Sequence, residues 1–291
     1  MSRVLAIDIG GTKTLVALVE AGKVTLEADY PTPRDADPQT WCDGVAVLAN
    51  RWQARFDAVG AAVTGFVADG LWSALNPAIL PVPSGFPLAH ELSRRLGKSV
   101  FCCNDAQAAA WGEYRHGAGA GSDLFFVTIS TGIGGGAIVN GRLLVGRGGL
   151  AGSAGLTLIG PASNTSRVED VAAGRWIALQ ARAAGRDLDA KGVLEAAEQG
   201  QAWAQRTIAV STRSVSVLLA NLQLLFDPPV MVLGGGLGLA PAYANRLRMQ
   251  LDEYPQAQRP DIRVAALGKY AGVIGAADLA AQHCTLGRID A

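Results

Sequence analysis

The sequence predicts an α/β fold made of two related domains, each centred on a β-sheet. Apolar segments typical of strands alternate with segments of helical periodicity along most of the chain, as in α/β proteins. One unit also occurs twice, near residues 4–28 and near residues 124–145: an apolar strand, a glycine-rich turn, a second strand, a tight turn and a third strand. Because the unit is duplicated at this separation, we expect two related domains that face each other.

The first unit begins with the apolar run Val4–Ile9, followed by the glycine-rich residues 10–13. Residues 15–19 and 24–28 are predicted strands, and the turn at residues 21–23 separates them. No room is left for a helix, so we expect an antiparallel meander.

The second unit begins with the apolar run Leu124–Ile129, followed by the glycine-rich residues 130–136 and a strand at residues 137–139. Asn140-Gly141 is a strong signal for a β-hairpin, and residues 142–145 supply the predicted return strand.

The remaining elements alternate in type, and the proline-rich residues 75–87 have an irregular pattern. The spacing of apolar residues predicts helices over residues 38–56, 88–96 (closed by Gly97), 106–114, 168–184, 189–198, 202–226 and 240–251. Short apolar runs predict strands over residues 58–67, 99–103 and 229–233.

Composition excludes several functional classes. The chain has 291 residues, 25 Lys and Arg against 25 Asp and Glu, 49% hydrophobic residues and 17% charged residues. Disordered proteins have the opposite balance, and a net charge of zero gives no reason to expect nucleic acid or an anionic membrane as a partner. No apolar run reaches the roughly 18 residues of a membrane span, and the first residues lack the pattern of a signal peptide. We therefore expect a cytoplasmic protein.

The cysteines and histidines indicate no metal site by themselves. The four cysteines (Cys42, Cys102, Cys103 and Cys284) form no CxxC pair, and the chain has only three histidines. Metal sites need clustered ligands. We expect free thiols that pack as small hydrophobic side chains in a reducing compartment.

Three glycine-rich turns follow apolar strands, at Gly10, Gly132 and Gly234, and two of them have a neighbouring threonine. Glycine either supplies a positive φ for a tight turn or lets backbone N–H groups approach a phosphate. Three such turns favour phosphate binding. The first lacks the spacing of a Walker A loop, and the GxGxxA match that starts at Gly132 opens a hairpin rather than a helix, which disfavours a dinucleotide-binding domain.

Four polar residues at the ends of predicted strands and helices are candidate functional residues. Asn104 is a candidate helix N-cap with Gln107 at the third helical position. Asp105 follows a strand and precedes a helix. Its carboxylate could interact favourably with the helix dipole, or it could accept the proton of an attacking hydroxyl, and the two roles are compatible. Asp8 ends a strand beside the first glycine turn, which suits Mg²⁺ held through phosphate or water. Glu169, taken alone, is an ordinary acid in a first helical turn.

Together the motifs resemble the ROK sugar-kinase family over essentially the whole chain. The motifs are residues 8–13 (DIGGTK), 104–106 (NDA), 130–136 (STGIGGG), 233–236 (LGGG) and 271–277 (AGVIGAA). Within the family the chain is similar to the N-acetylmannosamine kinases, on residues 75–77 (LNP), 104–111 (NDAQAAAW) and 148–152 (GGLAG).

The resemblance implies two actin/hexokinase-like (ribonuclease H-like) domains with a cleft between them. The N-terminal domain would be residues 1–105, completed by a C-terminal helix at 272–291, and the second domain would be residues 106–271. The implied reaction is transfer of phosphate from ATP with Mg²⁺ to the 6-hydroxyl of an N-acetylhexosamine, with N-acetylmannosamine as first choice. A homodimer is the implied assembly.

The resemblance also assigns residues. Asp105 would be the catalytic base, and the sugar-binding residues would be Gly65, Asn76, Asn104, Asp105 and Glu169. The nucleotide and its phosphates would be held by Asp8, Gly10, Gly11, Thr12, Lys13, Thr131, Gly132, Gly134, Gly135, Gly234, Gly235 and Gly236. Asp8 would also hold the metal.

One motif of the family is altered. The family carries GxxGExGH followed by CxCGxxGCxE, whose histidine and three cysteines bind zinc. The matching residues here are 149–156 (GLAGSAGL) and 163–169 (SNTSRVE), in which Ser153 and Leu156 replace two polar residues and Glu169 remains. We therefore expect no zinc, and the identity of the sugar is left open.

Three alternatives to an N-acetylhexosamine kinase are considered. The chain could phosphorylate another hexose of the glucose type, or it could be a sugar-binding sensor of the same fold. An actin-like filament protein is a third alternative. The family's repressors carry an N-terminal helix-turn-helix, whereas this sequence begins on its first strand, so DNA binding is disfavoured.

Overall fold

The computed structural model describes residues 3–286, apart from Ala54 and Ala78. The chain divides into two compact units. The first runs to His116 and includes Leu143–Ala151 and the chain from Lys269. The second consists of Gly117–Arg142 and Gly152–Gly268.

The first unit is a five-stranded sheet covered by helices. The strands are β1 (Val4–Ile9), β2 (Lys13–Glu20), β3 (Lys23–Pro31), β4 (Ala58–Val63) and β7 (Val100–Asn104), and a separate hairpin contains β5 (Phe66–Ala68) and β6 (Leu71–Ser73). The sheet order is β3-β2-β1-β4-β7. The first three strands form an antiparallel meander, and β4 and β7 run parallel to β1.

The helices of the first unit are α1 (Pro38–Ala49), α2 (Leu88–Leu96), α3 (Asp105–His116) and α10 (Ala271–Leu286). Helix α1 begins where the Asp37 side chain accepts the Thr40 N–H, and α2 ends at Gly97, whose φ of 65° suits glycine. The buried side chains of α1 and α2 pack on one sheet face with Trp41 and Trp72. Helix α10 lies on the opposite face, so close that a Cβ on Gly60 of β4 would be 2.2 Å from the Ala276 carbonyl oxygen.

Strand register decides what lies at the edge of this sheet. Ile9, Val63 and Asn104 are neighbours in one row, at the carboxyl ends of the parallel strands β1, β4 and β7. Asp8 lies one residue earlier, in the row of Ala62 and Cys103. Because side chains alternate between the faces of a strand, Asp8 projects to the face covered by α3 and α10.

The second unit contains β8 (Leu124–Ile129), β9 (Ile133–Val139), β13 (Val230–Gly234) and β14 (Ile262–Val264) in the order β9-β8-β13-β14. The turn after β9 has positive φ at Asn140 and Gly141 and leads into β10 (Arg142–Leu144). A small hairpin contains β11 (Leu158–Ile159) and β12 (Ser166–Arg167). The helices are α4 (Val168–Ala172), α5 (Gly174–Ala183), α6 (Ala190–Glu198), α7 (Ala202–Phe226), α8 (Gly235–Gly238) and α9 (Pro241–Leu251).

Helix α7 forms the centre of the second core. Within the described residues it is the one helix long and apolar enough, by length and composition alone, to cross a membrane. Its residues Ile208, Val215 and Leu219 are completely buried against the other elements of the unit. The apolar character of α7 is therefore explained by its place in the core.

Several predicted elements end earlier than their patterns indicate. The helix predicted over residues 38–56 ends at Ala49 and continues as the 3-10 turn Asn50–Trp52. The strand predicted over residues 58–67 stops at Val63, because Gly65 has a φ of 107° that an extended strand does not allow. The helix predicted over residues 168–184 is divided at Ala173, whose backbone is extended.

Other elements were not predicted. The hairpin of β11 and β12 and the edge strand β14 are too short to stand out in the sequence. The predicted glycine turn at residues 130–136 is shorter in the structure, because β9 already begins at Ile133. The division of the chain also differs from a boundary at residue 105: α3 belongs to the first unit, because it packs along α10.

Candidate active site

Asp105 is the first residue of α3 and directly follows β7. Its Oδ1 accepts hydrogen bonds from the Ala106 N–H at 2.7 Å and from Asn104 Nδ2 at 2.9 Å. Burial raises the pKa of this carboxyl to about 6, although these hydrogen bonds act in the opposite direction. Asp105 is therefore a carboxyl group in a fixed orientation, and its pKa lies close to neutral pH.

Asn104 holds the surroundings of Asp105 together. Besides the bond to Asp105, its Nδ2 donates to the Gly65 carbonyl at 2.8 Å, and its Oδ1 accepts the Gln107 N–H at 3.0 Å. The last bond is the helix cap predicted from the sequence. Both N–H donors of the side chain are used within the protein, so the remaining capacity of Asn104 toward a ligand is that of an acceptor.

The backbone conformation and the surroundings of residue 65 require glycine. Its φ is 107°, and a Cβ at this position would be 2.4 Å from the Ser73 carbonyl oxygen. The neighbouring Thr64 carbonyl accepts a hydrogen bond from Trp72 Nε1 at 2.8 Å. The segment between β4 and β5 is thus fixed beside Asn104 by the buried Trp72.

Asp8 is electrostatically coupled to Asp105. Burial and, to a smaller extent, the negative charge of Asp105 raise the pKa of the Asp8 carboxyl to about 7, although Lys13 acts in the opposite direction. At the start of α10, a Cβ on Gly272 would be 3.4 Å from Asp8 Oδ2 and 3.8 Å from the Asp105 carbonyl oxygen. Glycine at this position therefore leaves room beside the two acidic residues.

The predicted phosphate-binding turn of the first unit lies between β1 and β2. The Gly10 N–H donates to the Lys13 carbonyl at 3.1 Å, and the Thr12 carbonyl accepts the Thr32 N–H at 3.0 Å. The Lys13 ammonium forms an ion pair with Asp29 on β3. The turn is therefore closed by its own backbone.

The loop that contains Asn76 lies against this turn. The Asn76 carbonyl accepts the N–H groups of Ile79 and Leu80. A Cβ on Gly11 would be 2.5 Å from the Ile79 side chain. Gly11 thus permits close contact between the loop and the turn.

The second unit contains a cavity of about 340 Å³. Its polar lining includes Ser130, Thr131, Arg175, Lys191 and Asp189, and its apolar lining includes residues of α6 and α8 such as Leu194 and Leu237. Gly236 also lines the cavity, and a Cβ on it would meet nothing within 4 Å. Two cations and one carboxylate line the cavity together with hydroxyl and apolar side chains, and this combination suits a ligand that has an anionic and an apolar part.

Most other glycines predicted to bind nucleotide have a packing role. A Cβ on Gly135 would be 2.8 Å from the Gly152 carbonyl oxygen, and one on Gly234 would be 2.6 Å from the Phe126 ring. Gly235 has a φ of 77° and faces the Ile129 carbonyl. The Gly132 carbonyl accepts the Ser130 N–H at 2.9 Å, which closes the turn.

Glu169 is buried at the start of α4, with 7% of its side chain exposed. Its Oε1 lies 3.6 Å from Arg175 Nη2, beyond hydrogen-bond distance, and has no hydrogen-bond partner among the described residues. Arg175 Nη2 also lies 3.1 Å from Asp170 Oδ1. The Glu169 carboxylate thus has unused acceptor capacity.

The residues that correspond to the family's zinc motif form a compact backbone structure. Residues 154–156 make a 3-10 turn, and a Cβ on Gly155 would be 2.1 Å from the Ile133 carbonyl oxygen. Beyond the turn, β11 and β12 pair as a hairpin. In the part of the chain that the structure describes, no group of three or more His, Cys, Asp or Glu side chains could hold a metal ion.

The predicted site residues fall into two groups. The first unit contains Asp8, Gly10, Gly11, Thr12, Lys13, Gly65, Asn76, Asn104 and Asp105, and the second contains Thr131, Gly132, Gly134, Gly135, Glu169, Gly234, Gly235 and Gly236. Within the first group, the structure brings Asp8, Asn104, Asp105 and Gly65 together. Within the second, it brings Thr131 and Gly236 to one cavity.

Two residues at these sites were not singled out as ligand-binding or positioning residues from the sequence. The buried Gln107 donates from Nε2 to the carbonyls of Gly149 and Ala151, at 3.2 and 2.9 Å, and so fixes this segment of the first unit to α3. Arg175 lines the cavity and contacts two acids. The only signal for either was its place near a predicted site residue, since both are polar residues at ordinary helical positions.

Comparison with known proteins identifies the family of the chain. The model of the ROK family matches residues 4–283. A bifunctional enzyme NanE/NanK from Brucella melitensis is 44% identical over 97% of this chain, which spans 54% of that protein. The chain thus spans about half the length of that relative. An N-acetylmannosamine kinase from Escherichia coli is 39% identical, over 95% of this chain and 97% of its own length.

The fold agrees as well. The crystal structure of a ROK hexokinase from Thermus thermophilus superimposes with a TM-score of 0.83 at 31% identity, covering 97% of this chain and 99% of the other. This likeness confirms the predicted α/β fold class with two actin/hexokinase-like domains. With the glycine turns, the capped aspartate and the family match in agreement, the chain belongs to the ROK family.

Proposed function

We propose that the protein transfers the γ-phosphate of ATP to the 6-hydroxyl of N-acetylmannosamine, giving N-acetylmannosamine 6-phosphate. The observation that carries the proposal is the Asp105 carboxylate, which is fixed at the start of α3 with a pKa of about 6. A general base works best when its pKa lies near the working pH. Membership of the ROK family supports the same reaction class.

Asp105 acts as the base for the attacking hydroxyl. The hydrogen bonds from Asn104 and Ala106 both go to Oδ1, which leaves Oδ2 to accept the proton of the substrate hydroxyl. The proton of the sugar hydroxyl passes to Asp105 as the sugar oxygen forms its bond to the γ-phosphorus, while the bond from that phosphorus to the bridging oxygen breaks and ADP leaves with the bond's electron pair. The rest of catalysis is positioning and charge stabilisation, as in other phosphoryl transfers.

Asp8 fits a magnesium ion. Mg²⁺ prefers one or two carboxylates together with phosphate oxygens and waters. The raised pKa of Asp8, caused by burial and by Asp105, indicates a carboxylate that a cation would stabilise, and Gly272 leaves space beside it. When bound, Mg²⁺ supplies positive charge to the phosphate oxygens. Asp8 would orient it directly or through water.

The cavity of the second unit suits the nucleotide. Thr131 and Arg175 offer hydrogen-bond donors for phosphate oxygens, and the apolar wall near Leu194 and Leu237 suits the adenine ring. Gly236 would let the nucleoside approach the backbone. The roles of Thr131 and the glycine turns in phosphate binding are part of this proposal.

The choice of sugar rests on the relatives. The Escherichia coli protein named N-acetylmannosamine kinase matches nearly the full length of this chain. Asn104, Asn76, Gly65 and Glu169 are the proposed sugar contacts. The family motif has glutamate and histidine at the positions of Ser153 and Leu156. Serine is shorter and leucine is apolar, so these two residues offer fewer polar contacts to the sugar ring.

The test is a coupled assay of ADP formation with N-acetylmannosamine, N-acetylglucosamine, glucose, mannose, fructose and allose. We expect the highest kcat/KM with N-acetylmannosamine. A preference for glucose would instead assign a glucose-type kinase. Sugar binding without ADP formation would assign a sensor, and ATP binding that no sugar influences would favour an actin-like protein.

The Asp105→Asn variant tests the base. Removal of a general base lowers kcat by about 10²–10⁴-fold, whereas the affinity for a nucleotide analogue should change less than about twofold. Substantial turnover in this variant would reject Asp105 as the base.

A cytoplasmic homodimer is part of the same proposal. It follows from the family resemblance, and the polar substrates of a sugar kinase are cytoplasmic metabolites. Sedimentation of the purified chain checks the assembly, because a monomer at micromolar concentration would contradict it.

A further inference from the structure

Arg175 connects two features of the second unit. Its backbone N–H donates to the Thr131 carbonyl at 3.0 Å, and its side chain lines the cavity together with Thr131. Its Nη2 lies 3.1 Å from Asp170 Oδ1 and 3.6 Å from Glu169 Oε1. One side chain therefore reaches both the proposed nucleotide cavity and the proposed sugar-binding carboxylate.

Both partners of this contact have unused hydrogen-bonding capacity. Among the described residues, Arg175 Nη1 and Glu169 Oε1 are buried atoms without a hydrogen-bond partner. Buried polar atoms are seldom unpaired in native proteins, because an unpaired one costs about 1–3 kcal/mol. Arg175 Nη1 is an unused donor, and Glu169 Oε1 is an unused acceptor. This indicates that atoms of bound ligands form the missing hydrogen bonds with them.

The chemistry of the two groups identifies the ligand atoms. A guanidinium carries five N–H donors in a plane and can bind two anions at once, such as a carboxylate and a phosphate. An ionised carboxylate can only accept, which suits the hydroxyl of a sugar.

We propose that Arg175 is a positioning residue that bridges the two ligands: one amino group binds a phosphate oxygen of the nucleotide, and the other holds Glu169 in the orientation that accepts a sugar hydroxyl. This inference rests on the proposed function. It predicts that nucleotide and sugar bind cooperatively, and the effect must be equal in both directions.

The experiment is isothermal titration calorimetry with AMPPNP and N-acetylmannosamine, each with and without the other. In the unaltered chain we expect each ligand to tighten the other by at least about fivefold, as is typical for coupled sites. Arg175→Ala should weaken AMPPNP about tenfold or more, because a charge-assisted hydrogen bond is lost. It should also reduce the coupling to less than twofold.

Two further variants separate bridging from charge and from folding. Arg175→Lys keeps the charge but cannot hold two anions in one plane, so it should retain part of the AMPPNP affinity and lose the coupling. Arg182→Ala removes an exposed arginine in the last turn of the same helix and should change neither affinity nor coupling.

The outcomes are distinct. Unchanged AMPPNP affinity in Arg175→Ala, or full coupling in either Arg175 variant, would overturn the inference. The nucleotide titration needs no sugar. If the unaltered chain binds AMPPNP through Arg175 but phosphorylates no sugar, the proposed function fails while the nucleotide contact of Arg175 stands.

Discussion

At the scale of single residues, Asp105 has to satisfy two opposing requirements. A base must be ionised to accept a proton, yet burial disfavours the ionised form and raises the pKa to about 6. The hydrogen bonds from Asn104 and Ala106 limit this rise. Asp105 is therefore basic enough to take a proton and still mostly ionised at pH 7.

This pKa predicts how the rate depends on pH. We expect kcat/KM with saturating Mg²⁺ to be constant above about pH 8 and to fall most steeply below about pH 6, since Asp105 becomes protonated there. Protonation of Asp8, whose pKa is about 7, would make the fall steeper than tenfold per pH unit. A pH–rate profile from pH 5 to 9 measures this dependence. A second profile with twice the amount of the coupling enzymes is the control, because the rate should not change when these enzymes are not limiting. A constant or rising rate toward pH 5 would contradict the assignment.

The same residue predicts a gain of stability when its charge is removed. The pKa of Asp105 is higher in the folded chain than its usual 3.8, so its favourable contribution is complete below about pH 4 and is lost as the pH rises through about 6. Asparagine does not ionise. Asp105→Asn should therefore be more stable than the unaltered chain by about 1–3 kcal/mol at pH 8, and the difference should shrink toward pH 4.

Urea unfolding at pH 8, 6 and 4 measures this difference. Asn104→Ala is the contrasting variant, because it removes three hydrogen bonds around the same site and should be destabilising at every pH. If Asp105→Asn were less stable than the unaltered chain at pH 8, the buried charge of Asp105 would not lower the free energy of unfolding.

At the scale of elements, the position of Asp105 depends on how α3 packs on α10. A Cβ on Gly275 of α10 would be 1.8 Å from the Ala108 carbonyl oxygen, and one on Gly112 of α3 would be 2.5 Å from the Ala271 carbonyl oxygen. The backbones of the two helices are therefore in direct contact. Glycine is required at these positions for close approach rather than for a positive φ.

Gly275→Ala tests this packing. Alanine in a helix is normally more favourable than glycine by about 0.5–1 kcal/mol, but here the added methyl group must push the helices apart. We expect a loss of about 1–3 kcal/mol or more in the free energy of unfolding. Gly192→Ala in α6 is the control, since its nearest neighbour is the tip of the flexible Leu188 side chain at 3.2 Å. It should be neutral or stabilising, and equal effects of the two variants would contradict the model of close packing.

At the scale of the whole molecule, the first unit is built from distant parts of the sequence. Helix α10 lies near the end of the chain, yet Val273, Ile274 and Ala276 are buried in the first unit. Ala276 packs with Ala62 of β4 and Cys103 of β7. The strands that carry Asp8 and Asn104 are therefore covered by Ala276, which follows these residues by 268 and 172 positions in the sequence.

A chain that ends at Tyr270 tests this dependence. Exposure of two aliphatic residues and of the sheet face below them costs on the order of 5 kcal/mol, comparable to the stability of a whole domain. We expect amide protons of β1 and β4 to lose protection from hydrogen exchange, while those of α7 in the second unit stay protected. Unchanged protection in β1 and β4 would show that α10 is dispensable.

Much of the fold could be predicted from local patterns. The cap by Asn104, the end of α2 at Gly97 and the bounds of α7 depend on neighbouring residues, and the structure confirms them. The contact of Gln107 with Gly149 joins residues 42 positions apart. The pair of Arg175 and Glu169 depends on the break at Ala173, which the helical pattern does not show. Such contacts leave no local pattern, because they depend on how elements pack.

The sequence by itself determined most of the strands, the glycine turns, the helix that Asp105 begins and the resemblance to the ROK family, since periodicity and turn chemistry are local properties. Only the tertiary structure decided which of these residues meet. It placed Asp8 beside Asp105 and raised the pKa of both, and it closed the cavity around Thr131 and Arg175. Burial and charge coupling depend on segments that are far apart in the chain, and these properties arise only when the segments pack together.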